Sequence, residues 1–82
     1  SLTRLCLNNC PIIDWSVFET LQNAKNLEKL MLRNMSGLKE DGKIYHPKLR
    51  KVWIDECFEV KQIRLESPNL ELIEVINCTN LL

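Results

Sequence analysis

Residues 47–57, Pro-Lys-Leu-Arg-Lys-Val-Trp-Ile-Asp-Glu-Cys, decide the fold of this chain. The stretch recurs at 68–78 as Pro-Asn-Leu-Glu-Leu-Ile-Glu-Val-Ile-Asn-Cys, with Pro, Leu and Cys in identical places. The spacing Leu-x-x-Leu-x-Leu-x-x-Cys also opens the chain at Leu2, and it appears again from Leu27 with Met35 in the last position. Four matches at offsets of 25, 22 and 21 residues predict a repeat protein, in which each unit stacks on the next.

The apolar positions of each unit predict one short strand. Val52 and Ile54 alternate with Trp53, and a period of two places the two sets on opposite sides of a strand. One such strand cannot bury its apolar side alone, so the units are expected to stack into a four-stranded parallel sheet, with each connection returning across its back. The predicted fold class is α/β, a curved, right-handed solenoid. The strands are expected near residues 3–7, 28–32, 50–54 and 71–75.

The first connection is predicted to contain a short helix. Asp14 is a good N-cap residue, and Trp15, Phe18 and Leu21 recur at helical spacing. We therefore expect a helix over about 15–23 whose apolar side packs against the back of the sheet.

The later connections are predicted to be extended. Turn-forming residues occupy 36–42, and a short extended stretch follows at 43–45. Residues 60–65 imitate the strand spacing itself, so they are expected to form a second strand on the back of the solenoid. Ile44 and Leu65 align when the repeats are superposed, which predicts that the two back segments pair.

This pattern resembles the leucine-rich repeat, with Cys or Met where many members of that family carry Asn. The resemblance covers essentially the whole chain and implies a single segment, 1–82, of about four repeats. It places the sheet on the concave face, and one short helix and short extended segments on the convex face. Because the pattern starts and stops inside a repeat, without the polar caps that solenoids need, we expect a piece of a longer horseshoe.

Charge and motif content argue against several classes of function. Eleven basic and eleven acidic residues cancel, so the chain lacks the positive charge that binds nucleic acid or an anionic membrane. No apolar run approaches the roughly 18 to 20 residues of a membrane helix. There is no Gly-rich phosphate loop or metal-spaced His/Cys set, and His46 is the single histidine. We therefore expect no enzymatic activity, no cofactor and no metal.

Three of the four cysteines, Cys10, Cys57 and Cys78, occupy the inward position that ends a strand. Cys10 and Cys57 should lie two strands apart, about 9 to 10 Å, which is too far for a disulfide. Cys6 is expected on the exposed face instead. Buried, reduced thiols favour a cytoplasmic or nuclear protein.

Parallel stacking turns each outward strand position into a row across the sheet. An exposed tryptophan and methionine flanked by cations are unusual in a surface without a function, and aromatic residues and Arg dominate binding energy at interfaces. We predict that the concave sheet binds a protein partner, with Trp53 as anchor; the alternative is that neighbouring loops or repeats simply cover Trp53. The candidate partner-binding residues are Arg4, Lys29, Met31, Arg33, Lys51, Trp53, Asp55 and Glu74. The expected rows are Arg4, Lys29, Lys51 and Leu72; Cys6, Met31, Trp53 and Glu74; and Asn8, Arg33, Asp55 and Ile76.

Residues 67–70, Ser-Pro-Asn-Leu, after Val60-x-x-Ile63-x-Leu65, together with the Cys-ended strands, resemble the repeat regions of plant F-box proteins. That resemblance implies a horseshoe that selects substrates for ubiquitin ligation, while a separate F-box, absent from these residues, binds a Skp1-like adaptor. The alternative is the C-terminal, ligand-sensing region of an intracellular nucleotide-binding immune receptor, where residues 49–57 would also fit. A secreted receptor ectodomain is disfavoured by the irregular repeat lengths and the inward Cys.

Overall fold

Two parallel sheets contain all the strands of the computed structural model, which describes residues 2–78. Strands β1, β2, β4 and β6 form a four-stranded sheet in that order, and β3 and β5 form a two-stranded sheet. Stacked parallel strands are thus confirmed, in a solenoid-like arrangement of about three turns with very little helix. The elements are β1 (Arg4–Asn8), α1 (Val17–Leu21), β2 (Lys29–Arg33), β3 (Glu40–Tyr45), β4 (Lys51–Asp55), β5 (Val60–Glu66) and β6 (Leu72–Ile76).

The strands of the larger sheet pair in the register that superposition of the repeats predicts. Leu30 of β2 lies opposite Leu5 of β1 and Val52 of β4. Each strand is found one residue further along the chain than expected. The residue before the strand is held outside the regular ladder by a shared acceptor: the backbone N–H groups of Glu28 and Lys29 both donate to the Thr3 carbonyl, at 2.8 and 3.1 Å.

The hydrophobic core lies between the two sheets. Leu30, Leu32, Val52 and Ile54 of the inner strands are at most 1% exposed, and the buried side chains of β3 and β5 belong to the same cluster. Strand β6 has a described neighbour on one side only, so Ile73 on its inward side is 44% exposed. Burial is therefore supplied by stacking and is most complete where a strand has neighbours on both sides.

The helix is shorter than predicted. It runs over Val17–Leu21, and its N-cap residue is Ser16, whose side chain makes no capping hydrogen bond. Asp14 instead caps the turn before the helix: its Oδ1 accepts the backbone N–H of Ser16 at 3.0 Å and the Ser16 hydroxyl at 2.5 Å. These hydrogen bonds lower the pKa of Asp14. The N–H groups of residues 17–19 bond three residues back, which is 3₁₀ geometry, so the first turn is tighter than an α-helix.

The prediction of a turn over 36–42 is wrong for the last three of these residues. Strand β3 already begins at Glu40, which has φ of 60° beside a register shift, so Asp41 and Gly42 are strand residues. Gly42 lies under the Trp15 ring, where an added Cβ would approach ring carbons to 2.2 Å. The Trp15 indole Nε1 donates to the Lys39 carbonyl at 2.9 Å, which holds the ring in place. The glycine is required by this close approach rather than by a turn.

The back segments pair as predicted. Strands β3 and β5 are parallel, and Ile44 lies opposite Leu65. The ion pairs Lys39–Glu59 and Lys61–Glu40 join residues at the start of the two strands, at 4.0 and 3.2 Å. The repeat pattern also predicts a further return beginning at Thr79, and that segment lies outside the described residues.

His46 is 2% exposed and links two connections. Its Nε2 lies 2.8 Å from the Ala24 carbonyl, and its Nδ1 accepts the Lys48 backbone N–H at 3.0 Å. Because the carbonyl can only accept, the proton resides on Nε2. This role was not apparent from the sequence, in which His46 was noted only as the single histidine.

Every strand of the larger sheet is followed by one residue in the left-handed region. Asn9, Asn34, Glu56 and Asn77 have φ of 57°, 51°, 55° and 55°. Asparagine tolerates this conformation better than most residues with a side chain, and Asn34 Nδ2 also donates to Asn9 Oδ1. Glu56 is the exception in the series.

Replacing Glu56 by Asn is therefore expected to raise the free energy of unfolding by about 0.5 to 1 kcal/mol, because a side chain suited to left-handed geometry replaces one that is not. The exposed Arg33–Glu56 ion pair that is lost contributes little. Urea unfolding of both chains measures the difference. Asn34→Glu, the reverse change in the preceding repeat, serves as the matched variant and should destabilise; a stability loss in Glu56→Asn contradicts the argument.

Replacing Gly42 by Ala is expected to destabilise the chain by about 1 to 3 kcal/mol, because the methyl group has no space beneath the Trp15 ring. The measurement is a double-mutant cycle in urea with Trp15→Ala. With the ring removed, the added methyl should cost much less. Equal costs in the two backgrounds would show that the ring does not impose the glycine.

Candidate functional site

The candidate site lies on the side of the four-stranded sheet that faces away from the two-stranded sheet; we call it the open face. The register brings outward residues into three rows that match the expected ones. The cation row is Arg4, Lys29, Lys51 and Leu72; the apolar row is Cys6, Met31, Trp53 and Glu74; the third row is Asn8, Arg33, Asp55 and Ile76.

A depression of about 370 Å³ opens on this face, between the cation row and the apolar row. Its walls are Arg4, Cys6, Lys29, Met31 and Trp53. Met31 is 40% exposed. Trp53 is half-buried, less open than the sequence led us to expect, since it is flanked by Met31 on one strand and Glu74 on the other. Four of the eight predicted site residues thus meet at one apolar-floored depression.

The cation row is not neutralised within the described part of the chain. Arg4 is exposed, Lys29 and Lys51 are half-buried, and none of the three forms a salt bridge with a described residue. The carboxylates closest in the register, Glu28 and Glu71, lie in the row at the start of the strands.

Those two carboxylates are both bound by Arg50. Its Nη1 donates to Glu28 Oε1 at 3.0 Å, and its Nε donates to Glu71 Oε2. The hydrogen bond from Arg50 lowers the pKa of Glu71, with a smaller contribution from the charge of Lys51, and the two carboxylates raise the pKa of Arg50. Arg50 therefore spans three repeats and binds both carboxylates nearest to the cation row, a group in which one negative charge stays uncompensated.

The charged residues of the third row form ion pairs with each other and with the neighbouring Glu56. Arg33 Nε lies 3.9 Å from Asp55 Oδ2, and Arg33 Nη2 lies 3.5 Å from Glu56 Oε1. Asp55 Oδ1 is buried and has no hydrogen-bond partner among the described residues. Glu74 is exposed on β6 and forms no salt bridge with a described residue. Arg33 and Asp55 thus differ from the cation row in having charged partners within the chain.

A larger depression of about 580 Å³ lies on the opposite side of the molecule, against the helix and β3. The aromatic rings of Trp15 and Phe18 line it, with centroids 5.6 Å apart, but the Trp15 indole is already bonded to Lys39. Lys43 in its wall is paired with Glu66 at 3.8 Å. This depression is polar, and its lining carries three carboxylates against the single cation Lys43. Its indole N–H and its one cation already have partners, so the open face is the stronger candidate.

The four cysteines are all free thiols. Cys57 is buried and Cys10 and Cys78 are half-buried, whereas Cys6 is exposed on the open face. The Sγ atoms of Cys10, Cys57 and Cys78 each lie 3.3–3.5 Å from the carbonyl two residues earlier. Burial raises the pKa of the Cys57 thiol. The inward position is therefore a repeated weak donor that helps to turn the chain after each strand.

The described residues contain no group of three or more His, Cys, Asp or Glu side chains placed to hold a metal ion. Over the same part of the chain, no helix is long and apolar enough to cross a membrane.

No family model matches the chain, and neither a curated protein nor a solved structure matches it.

Alkylation of the folded chain should modify Cys6 first and Cys57 last. Cys6 is exposed, whereas Cys57 is buried and its raised pKa leaves little of the reactive thiolate. The rates are measured by peptide mass spectrometry after timed exposure to iodoacetamide, and unfolding in urea provides the control in which Cys57 becomes reactive. Labelling of Cys57 as fast as Cys6 in the folded chain would show that the inward position is not buried.

Proposed function

We propose that this chain is a non-catalytic protein-binding module of the leucine-rich repeat type, a curved, right-handed solenoid whose open face is concave. One observation carries the proposal: the register aligns Trp53 and Met31 beside unpaired cations around a single depression. Trp and Arg are enriched among interface hot spots, and Met is enriched in interfaces generally. The open face therefore receives a segment of a protein partner.

Trp53 is the anchor of this interface. A half-buried indole has its position fixed by its neighbours and still offers its exposed edge to a ligand. Such an anchor loses little conformational freedom on binding, so more of the contact energy appears as affinity. Met31 beside it supplies a flexible, polarisable surface that adapts to the partner.

The finer proposal is the substrate-recognition repeat region of an F-box-type ubiquitin ligase receptor. The resemblance of residues 67–70 and of the Cys-ended strands to plant-type repeats supports it. In that arrangement the parent protein contacts the ligase adaptor through a separate region, and the open face selects the substrate. The free thiols favour a cytoplasmic or nuclear location for such a protein.

A second candidate is the ligand-sensing repeat region of an intracellular nucleotide-binding immune receptor, which the sequence of residues 49–57 favours. Affinity purification of the parent protein followed by mass spectrometry separates the two. A ligase adaptor and a cullin in the eluate support the F-box proposal, whereas bound adenine nucleotide without them supports the immune receptor.

Replacing Trp53 by Ala is expected to weaken partner binding by about 2 kcal/mol or more while the fold is retained. The matched control is Tyr45→Ala, which removes an aromatic side chain that is 41% exposed on the two-stranded sheet. Calorimetric titration with a partner recovered by the purification gives both affinities, and urea unfolding verifies the fold. Unchanged affinity in Trp53→Ala, or an equal loss in Tyr45→Ala, would remove the open face as the binding site.

A further inference from the structure

We infer that the segment bound by the open face is acidic: an extended peptide in which two or more carboxylates flank one large apolar side chain. The inference rests on the proposed protein-binding function and names the chemistry of the partner. It follows from the charges of two neighbouring rows, from their spacing and from the depression between them.

Two neighbouring rows of charged residues on the sheet differ in the order of their charges. At the start of the strands, Glu28, Arg50 and Glu71 alternate in sign and bind one another. One position further along, Lys29 lies directly opposite Lys51, and Arg4 lies opposite Lys29. Like charges directly opposite on paired strands destabilise a sheet. The alternating row stabilises the stack, whereas the cation row opposes it and is explained by a ligand that carries negative charge.

No described carboxylate takes that role within the molecule. Glu28 and Glu71 are bound by Arg50, and Asp55 and Glu56 are bound by Arg33. The pKa of Glu71 responds to Lys51, but its first partner is Arg50. One guanidinium between two carboxylates leaves one negative charge beside the lysines, and Glu74 forms no salt bridge with a described residue. The three cations of the row outnumber that charge, so positive charge remains available to a carboxylate from outside.

The spacing fits one peptide that contacts both rows. Neighbouring strands lie about 4.8 Å apart, so the three cations span about 10 Å. About three residues of extended chain cover that distance, which places carboxylates opposite successive cations. The apolar row is two residues further along each strand, about 7 Å away. An apolar side chain from the same peptide can therefore enter the depression between Met31 and Trp53 while its neighbours contact the cations.

The open face also determines over which strands the acidic residues of the peptide lie. The apolar row ends at Glu74 and the cation row ends at Leu72, both on β6. Carboxylates are favoured over β1, β2 and β4 and disfavoured over β6. A peptide is a better match than a nucleic acid strand, because the chain has no net charge and the depression holds one aromatic ring.

The test is selection of a display library of random peptides of about twelve residues on the full chain. The expected result is enrichment of sequences with two or more Asp or Glu near a Leu, Phe, Trp or Tyr. One selected peptide is then synthesised with a fluorophore, and its affinity is measured by anisotropy for the unaltered chain, for Trp53→Ala, and for Lys29→Gln with Lys51→Gln. The control variant is Lys25→Gln with Lys48→Gln, which removes the same charge from exposed positions in turns.

The lysine pair on the open face should weaken binding about fivefold to tenfold, and the control pair less than twofold. The affinity of the unaltered chain should fall between about 50 and 300 mM salt, and this dependence should be smaller in the open-face variant. Urea unfolding of each variant shows that the fold is retained.

The outcomes separate the two proposals. Peptides that need Trp53 but carry no excess of carboxylates, or that bind the open-face lysine variant as well as the unaltered chain, overturn the acidic partner and leave the protein-binding function standing. Selected peptides that bind Trp53→Ala unchanged overturn both. Equal binding of a single-stranded oligothymidine, with the same dependence on both lysines, would replace the peptide by a nucleic acid.

Discussion

Burial of one side of each strand by the neighbouring strands is the interaction on which the rest of the structure depends. Leu30, Leu32, Val52 and Ile54 are at most 1% exposed, and no single repeat could cover them. Each such side chain contributes about 1.5 to 3 kcal/mol relative to exposure. A register slip of one residue would turn all of them to solvent, so this burial fixes which residues lie opposite each other. The rows of the open face are a consequence of that register.

The connections are held by fewer, more specific contacts. Trp15 covers Gly42 and donates to Lys39, and His46 joins Ala24 to the turn before β4. These contacts link segments more than twenty residues apart in sequence. They secure the back of the sheet where the helix is only five residues long and cannot contribute much on its own. The larger sheet can therefore keep one regular register although the connections differ in length.

The sequence predicts well those features that recur in every repeat. The four strands, the pairing of Ile44 with Leu65 and the membership of the three rows follow from superposing the units. Features that occur only once were not predicted. Gly42 lies in a stretch whose composition is typical of a turn, and only the Trp15 ring above it explains why this glycine is part of a strand. The openness of Trp53 was overestimated because burial by adjacent rows depends on side-chain packing, which periodicity does not describe. The side-chain positions were likewise needed to see that Arg33 pairs with Asp55 and that the cation row forms no salt bridge with a described residue.

A sheet of this kind separates stability from recognition, because successive residues of a strand serve opposite faces. A pair of like charges opposite each other costs at most about 1 kcal/mol on an exposed sheet surface. Each inward side chain of the inner strands contributes more than that, so the stack tolerates two such pairs along the cation row. The unfavourable contacts join the first three repeats, and the alternating Glu28–Arg50–Glu71 row beside them joins the second to the fourth through favourable contacts. The cation row therefore carries a small local cost that the register withstands, and the outward positions of the strands are open to residues that folding alone would not favour.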